Sequence, residues 1–487
     1  MDSKWFFGIY VILANVIQLY HSIENVPRLH TNCLVKDFFN SWSQCDIFDE
    51  QKNYITALND RCSSFSSINS ESPAIFILYD VNSMEGFNLR RDVYIRVAVF
   101  LKRLRTISHY KNAHLVLPPF YRLYHWNLIS DQRHTGKEKE ILFWNHFFDI
   151  TSLKRYTKVI DMWEYFDILK SCFGIQDQIS LKAIFQLRHF DSMFESGKFE
   201  ERFEIHKQCS GDFYRSQGQF NHLYNNFTSE CVHCVEFQGT AFLLHDLFEQ
   251  QIKRSNAKMY SIALLNAETV LHDHWGNVEY WRARRSMRFN SYLIQIATNF
   301  RAINFDSTDV KDRTEHPADW RNETEHRLAI GGNYLCAHLR RADFLRGREK
   351  TTPSLRSAAT QIANHLKRLN LTNVFISSDC TGKEFHDLKG YLRHFRVFKF
   401  KPSTVEERDR LKPGGIAAVD QIICSHSRFF IGTYDSTFTY RIYEEREILS
   451  FPSSMTFNTF CKSPDSVECE QNSVWRIVYD EERWRFR

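Results

Sequence analysis

The chain contains no Gly-x-Gly-x-x-Gly and no Gly-x4-Gly-Lys-Ser/Thr in its 487 residues. Dinucleotide oxidoreduction and P-loop phosphate chemistry therefore lose their usual support. It also lacks any Asp-x-Asp pair, the common holder of a metal against a nucleotide-sugar diphosphate. A diphosphate bound here would have its charge met by protein cations and helix N-termini. No basic stripe alternates with aromatics, and the net charge of +5 is small against 63 basic and 58 acidic residues, so nucleic acid is not an expected partner. Cys231-Val232-His233-Cys234 has no second CxxC or HxxxH in range, which argues against zinc. Beyond residue 19 there is no second long apolar run, so no stable membrane span is expected in the body of the chain.

What is present begins with Lys4 and the apolar stretch Trp5 to Leu19, interrupted only by Asn15 and Gln18. It reads as a secretory signal peptide over residues 1–22, with an uncleaved anchor as the alternative. Glu482 to Arg487 do not spell a KDEL-type address. Twelve cysteines and three glycosylation sequons, at Asn226, Asn322 and Asn370, agree with an oxidising, lumenal compartment. Cys461 and Cys469 flank a polar turn and are near enough in sequence to close a small loop. Cys336 lies within an apolar run and Cys424 within a helix pattern, which reads both as buried free thiols. Most of the 42 Phe belong to a large core.

Hydrophobic periodicity organises the rest. Ala74 to Tyr79 is a continuous apolar run suited to a buried parallel strand. A helix pattern from Leu89 to Leu104, with Val93, Val97, Leu101 and Leu104 on one face, and a second strand over His114 to Pro119 complete a βαβ unit. In the C-terminal part strands are predicted at 334–339, 374–377, 395–400 and 428–432, with helices at 354–366, 383–392, 417–425 and 437–446. Such alternation predicts an α/β protein with two Rossmann-like domains facing a cleft that binds a nucleotide. The expected division is a polar appended segment over 23–72, an N-terminal domain over 73–325 and a C-terminal domain over 326–487. Residues 150 to 325 do not resolve into units.

Three local patterns join strand ends to helices: Asn82 to Asn88, His338-Leu339-Arg340-Arg341-Ala342-Asp343-Phe344, and Gly432 to Phe438. Paired guanidinium groups at a strand mouth read first as a diphosphate site, because the arginine fork matches phosphate oxygens. The bland alternative is a surface salt-bridge cluster.

HLRRADF, MEGFNLRRDVYIR, LPPFYRLYHW, LHDHWGNVEYWRARRSM, GGIAAVDQIICSHSRFFIGT and STFTYRIYEEREIL together resemble the GDP-fucose protein O-fucosyltransferase 2 family, over about residues 73 to 476. The resemblance implies a GT-B glycosyltransferase fold, residence in the endoplasmic reticulum lumen, GDP-fucose as donor, no catalytic metal, and thrombospondin type 1 repeats of secreted or cell-surface proteins as acceptors. It places the catalytic base on Glu85, within a substrate-binding segment of Met84, Glu85, Gly86, Phe87 and Asn88; otherwise Glu85 is a helix cap. It matches Arg340 to the arginine that steadies the departing diphosphate, with His338 and Leu339 in the same nucleotide loop and Asp343 orienting the arginines. Asp420 matches an acid on the guanine or ribose, and Ser436, Thr437 and Phe438 match phosphate and nucleotide contacts. It also implies a Cys209–Cys234 disulfide, which leaves Cys172 and Cys231 for a second bridge. Transfer to EGF-like repeats, or non-catalytic lumenal binding of folded repeats, are the alternatives.

Overall fold

The structure, a computed structural model, describes residues 62, 72–82, 84–121, 123, 141–175, 178–191, 200–206, 209, 227–252, 257–273, 275–463 and 469–480. The expected signal peptide, nearly all of the appended segment and the Asn226 sequon lie outside them. The described chain divides into two compact units at Trp275/Gly276.

The first unit is built on a seven-stranded sheet. β1 (Ala74–Tyr79) is wholly buried, as a strand covered on both faces must be. It leads through a short turn into α1 (Phe87–Leu104), and β2 (Ala113–Leu117) returns parallel to β1, pairing Ile75 with Ala113. Val93, Val97, Leu101 and Leu104 are all buried, as the periodicity predicts. Arg90, Arg91, Asp92 and Arg96 of the same helix are buried as well. They are tolerated because charged partners are at hand: Arg96 grips Asp92 at 2.6 Å and Arg90 stands 3.6 Å from Asp80. β3 (Val159–Asp161), α2 (Met162–Phe173), β4 (Ala183–Arg188), β5 (Arg202–His206), β6 (Val232–Gln238), α3 (Leu243–Gln251) and β7 (Met259–Leu265) follow. The spatial order is β3-β2-β1-β7-β4-β6-β5, parallel except for the edge pair β5/β6. The middle of the chain thus contributes strands to the same sheet, and β7 slots directly beside β1, pairing Ala74 with Met259.

The second unit opens with α4 (Val278–Ser286) and α5 (Ser291–Phe305), so the division falls before residue 276 and not near 325. The reason is a buried charge cluster. Arg284 of α4 donates to Glu444 at 2.6 Å and to Glu445 at 2.8 Å, far along the C-terminal sequence. β8 (Gly332–Leu339), α6 (Leu355–Arg368), β9 (Asn373–Ser378), α7 (Gly382–Tyr391), β10 (Arg396–Phe398), α8 (Val405–Ser425), β11 (Ser427–Ile431) and α9 (Thr437–Ile448) follow. Their strands form a parallel sheet in the order β10-β9-β8-β11. Leu335, Ala337 and Leu339 of β8 share a core with Ala358, Ile362 and Leu366 of α6. Ser354 caps α6 and a Thr381/Glu384 capping box starts α7, which sets where each helix begins. α8 is bent at Lys412 and Pro413, since proline cannot supply the amide that a continuous helix requires there.

Cys209–Cys234 and Cys461–Cys469 are disulfides. Two other expectations need correction. Cys172 pairs with Cys62 and leaves Cys231 free and exposed. Cys336 and Cys424 are not free thiols; β8 and α8 lie side by side, and the two cysteines bridge them. Asn322 and Asn370 are exposed.

Candidate active site

In the first unit the β1–α1 turn is held from three directions. Within the turn, the Met84 amide donates to Asn82 Oδ1 (3.1 Å) and the Glu85 amide to the Asn82 carbonyl (3.0 Å). From α1, Arg90 reaches back to the carbonyls of Val81 (2.9 Å), Asn82 (3.0 Å) and Glu85 (3.3 Å). From the end of β7, Glu268 Oε2 accepts the Asn82 amide at 3.1 Å. Gly86 occupies the N-cap of α1 in an extended conformation, and the first turn of that helix holds no acid. Glu85 therefore stands outside the helix, and no hydrogen bond or ion pair engages its carboxylate among the described residues. Burial raises its pKa above the usual 4.5, against the lowering influence of Arg90 and Arg96. Met84 is exposed. Phe87 is buried among Phe120, Phe147 and Phe148, with ring centroids 4.9 to 5.9 Å away, which makes it part of the turn's foundation. Asn88 Oδ1 accepts from Arg91 at 3.4 Å.

Glu268 was not anticipated from the sequence. It follows Asn266, whose φ of 58° turns the chain sharply after β7. Its own backbone is fixed too: Ala267 donates to the Asp80 carbonyl (2.9 Å), and Arg96 donates to the carbonyls of Glu268 (3.0 Å) and Val270 (2.6 Å). Burial first, and the neighbouring Glu85 second, push its carboxyl up to about 8. The sequence signal was an acid directly after a buried strand, which is weak without knowing that β7 lies beside β1.

The second unit gathers the remaining residues around the C-terminal end of β8. His338 accepts or donates through Nδ1 to Thr439 Oγ1 at 2.8 Å and stacks on Phe438, with centroids 4.3 Å apart and planes 19° apart. Burial, with Arg340 adding to it, lowers the imidazole to about 3, so it is neutral at physiological pH. Thr433 ties the strand end to the next loop: its hydroxyl donates to the His338 carbonyl and accepts the Arg340 amide, both at 2.9 Å. Gly432 is required beside it, because a Cβ there would collide with Thr439. Leu339 is buried.

The two arginines of HLRRADF diverge. Arg341 is buried, with Nε on Glu384 (2.9 Å) and Nη1 on the Pro353 carbonyl (3.0 Å), and acts as a brace between loops. Only Arg340 remains partly exposed, its fork resting on Asp343 at 2.9 and 2.6 Å and its guanidinium 4.7 Å above the Phe344 ring. The paired-guanidinium expectation is corrected: only one of the two forks is partly exposed, and the other is buried as a brace.

Asp420 on α8 accepts from Ser377 at 2.8 Å through Oδ2, while Oδ1 is buried with no hydrogen-bond partner among the described residues. Burial pushes this carboxyl up to about 7, opposed by Ser377 and Lys399. Ser436, the N-cap of α9, is fully buried; its hydroxyl likewise has no partner and makes no cap hydrogen bond. Two orphaned oxygens and a helix start without its side-chain cap are costly in a closed protein. They fit a ligand that brings both donors and an anion, as a guanine nucleotide does. No group of three or more His, Cys, Asp or Glu side chains suited to a metal is found among the described residues, nor any helix long and apolar enough to cross a membrane.

The family model for GDP-fucose protein O-fucosyltransferase matches residues 76–449. GDP-fucose protein O-fucosyltransferase 2 of Drosophila melanogaster is 46% identical over 421 residues, covering 83% of each chain. The protein of the same description from Caenorhabditis elegans is 38% identical over 415 residues, covering 83% of this chain and 90% of its own. Among solved structures, POFUT1 in complex with GDP-fucose aligns with a TM-score of 0.50 at 15% identity, over 80% of this chain and 98% of that one, which supports the GT-B fold with its two Rossmann-like domains. The enzyme is a GDP-fucose-dependent peptide O-fucosyltransferase, and the chain belongs to the GDP-fucose protein O-fucosyltransferase 2 family.

Proposed function

We propose that this enzyme transfers L-fucose, with inversion, from GDP-fucose to a Ser or Thr hydroxyl of folded thrombospondin type 1 repeats in the endoplasmic reticulum lumen. The observation that carries the reading is the family match across both units, together with the long segments MEGFNLRRDVYIR and GGIAAVDQIICSHSRFFIGT. Glu85 serves as general base, taking the acceptor proton as the hydroxyl oxygen attacks the anomeric carbon. Arg340 and the start of α9 meet the negative charge that grows on the diphosphate as its bond to fucose breaks. Asp420 accepts from the guanine or ribose, and His338, neutral and stacked, shapes the nucleotide loop. Exposed sequons and disulfide pairing support a lumenal protein. The test is to incubate purified protein and GDP-fucose with separate folded thrombospondin and EGF-like repeats and read intact mass. Fucose on the EGF-like repeat alone overturns the acceptor assignment.

Protein groups suffice in this mechanism to neutralise the leaving diphosphate, so transfer is expected to persist in excess EDTA. Modest stimulation by Mg²⁺ through faster GDP release is compatible with it. Complete loss of single-turnover transfer in chelator, restored by one divalent ion, would show instead that a metal stabilises the leaving group.

A further inference from the structure

A partly buried carboxyl in the first unit, Glu268, has a place that the mechanism above does not use. Glu268 faces the β1–α1 turn, where its Oε2 holds the Asn82 amide, three residues before Glu85. The charged groups around it are Glu85 and Arg90 from that turn and α1, with Arg96 of α1 bound to its backbone carbonyl. Arg90 is already committed to Asp80 and to three carbonyls of the turn, and Arg96 to Asp92, which His272 also meets at 3.2 Å. Arg90 still lowers the Glu268 pKa, but less than burial and Glu85 raise it.

We propose that Glu268 is a positioning residue for Glu85, fixing through the Asn82 amide the turn that presents the base and forming with Glu85 a pair of carboxyls in one site. The proposal rests on Glu85 as the base. Two neighbouring carboxyls in a low-dielectric setting do not both ionise freely, so their protons leave in separate steps. Burial raises both carboxyls, and Glu85 adds to the rise of Glu268, which is pushed up to about 8. Glu268 is then the protonated member of the pair at neutral pH.

The arrangement costs folding stability. Its folded-state pKa lies above the ordinary 4.5, so between about pH 4.5 and pH 8 the folded protein retains a proton that the unfolded chain has released. Stability contributed by Glu268 therefore falls as pH rises through that window and stays low above it. A residue kept only for packing gains nothing from such a group, because glutamine has the same shape and no penalty. Keeping it fits a site that trades stability for activity.

The experiment compares the full chain with Glu268→Ala, Glu268→Gln and Glu85→Gln, measuring kcat and KM for GDP-fucose against a folded thrombospondin repeat, and melting temperature, from pH 5.5 to 9. Glu268→Ala frees the turn, and kcat falls on the order of 10- to 100-fold, as small misplacements of a reacting group do. KM for GDP-fucose moves by less than about twofold. Glu268→Gln keeps an oxygen for the Asn82 amide and recovers at least half of that loss on a logarithmic scale. Its pH profile lacks the bend that the native enzyme shows near pH 8, and its melting temperature exceeds the native value by more at pH 8 than at pH 5.5. The inference is overturned by native kcat in Glu268→Ala, by an equal loss in the Ala and Gln variants, or by a bend that survives in Glu268→Gln. Failure of the underlying reading looks different: Glu85→Gln then turns over normally, whatever the Glu268 variants do.

Discussion

Replacing Glu85 by Gln will lower transfer by about 10² to 10⁴-fold, the range typical of a lost general base. The side chain changes by one atom, so the turn should keep its hydrogen bonds, all of which use backbone or Asn82, Arg90 and Glu268 atoms. GDP affinity, measured by calorimetry, should consequently stay within about twofold of the native value, because uniform binding is untouched. The native pH profile should show an acid limb set by Glu85, with its midpoint above 4.5 and activity lost as the carboxylate takes up a proton. Burial helps the base here, since a carboxylate relieved of water holds a proton more strongly than one in bulk solvent. Near-normal turnover in the Gln variant would reduce Glu85 to a piece of the turn.

Arg340→Ala should weaken GDP binding about 10- to 100-fold and depress turnover further, because charge-assisted hydrogen bonds contribute roughly 1.5 to 3 kcal/mol each. Arg340→Lys keeps the charge but loses the planar fork, so it should fall between Ala and native in both quantities. Folding should scarcely notice either change: the Arg340–Asp343 pair is partly exposed, and exposed pairs contribute little. Arg341 gives the contrasting case within the same motif. Its replacement unseats Glu384 and the Pro353 carbonyl inside the fold, and should show first in the melting temperature. A native GDP dissociation constant in Arg340→Ala would place the diphosphate elsewhere.

The sequence was most legible where neighbours along the chain are neighbours in space. β1 begins and ends as its apolar run does, at Ala74 and Tyr79, and the C-terminal strands and helices fall within a few residues of their periodic patterns, except that α8 begins at Val405, twelve residues before the expected start. The middle third resisted because its strands enter a sheet whose order is non-local. β7 is inserted between β1 and β4, and β5 is a half-exposed edge strand with no continuous apolar run. α4 and α5 were assigned to the wrong side for a related reason: their partners, Glu444, Glu445 and α8, lie more than a hundred residues further on. Of the residues proposed for the site, Glu85, Arg340, Asp420 and Ser436 came from their motifs. That Arg341 turns inward depends on strand geometry, and that Glu268 reaches Asn82 depends on strand order, so neither could be read from spacing alone.

The Cys336–Cys424 bridge has a topological consequence. Its two ends are 88 residues apart and enclose α6, β9, α7, β10 and most of α8 in one covalent ring. His338 lies two residues inside one end of the ring, and Asp420 four residues inside the other. In the chain-entropy picture, closing a loop of that length removes about 4 to 5 kcal/mol of freedom from the unfolded chain. The bridge thereby holds together the two ends of the segment that carry His338, Arg340 and Asp420. Groups held in place before a ligand arrives spend little of its binding energy on ordering the protein.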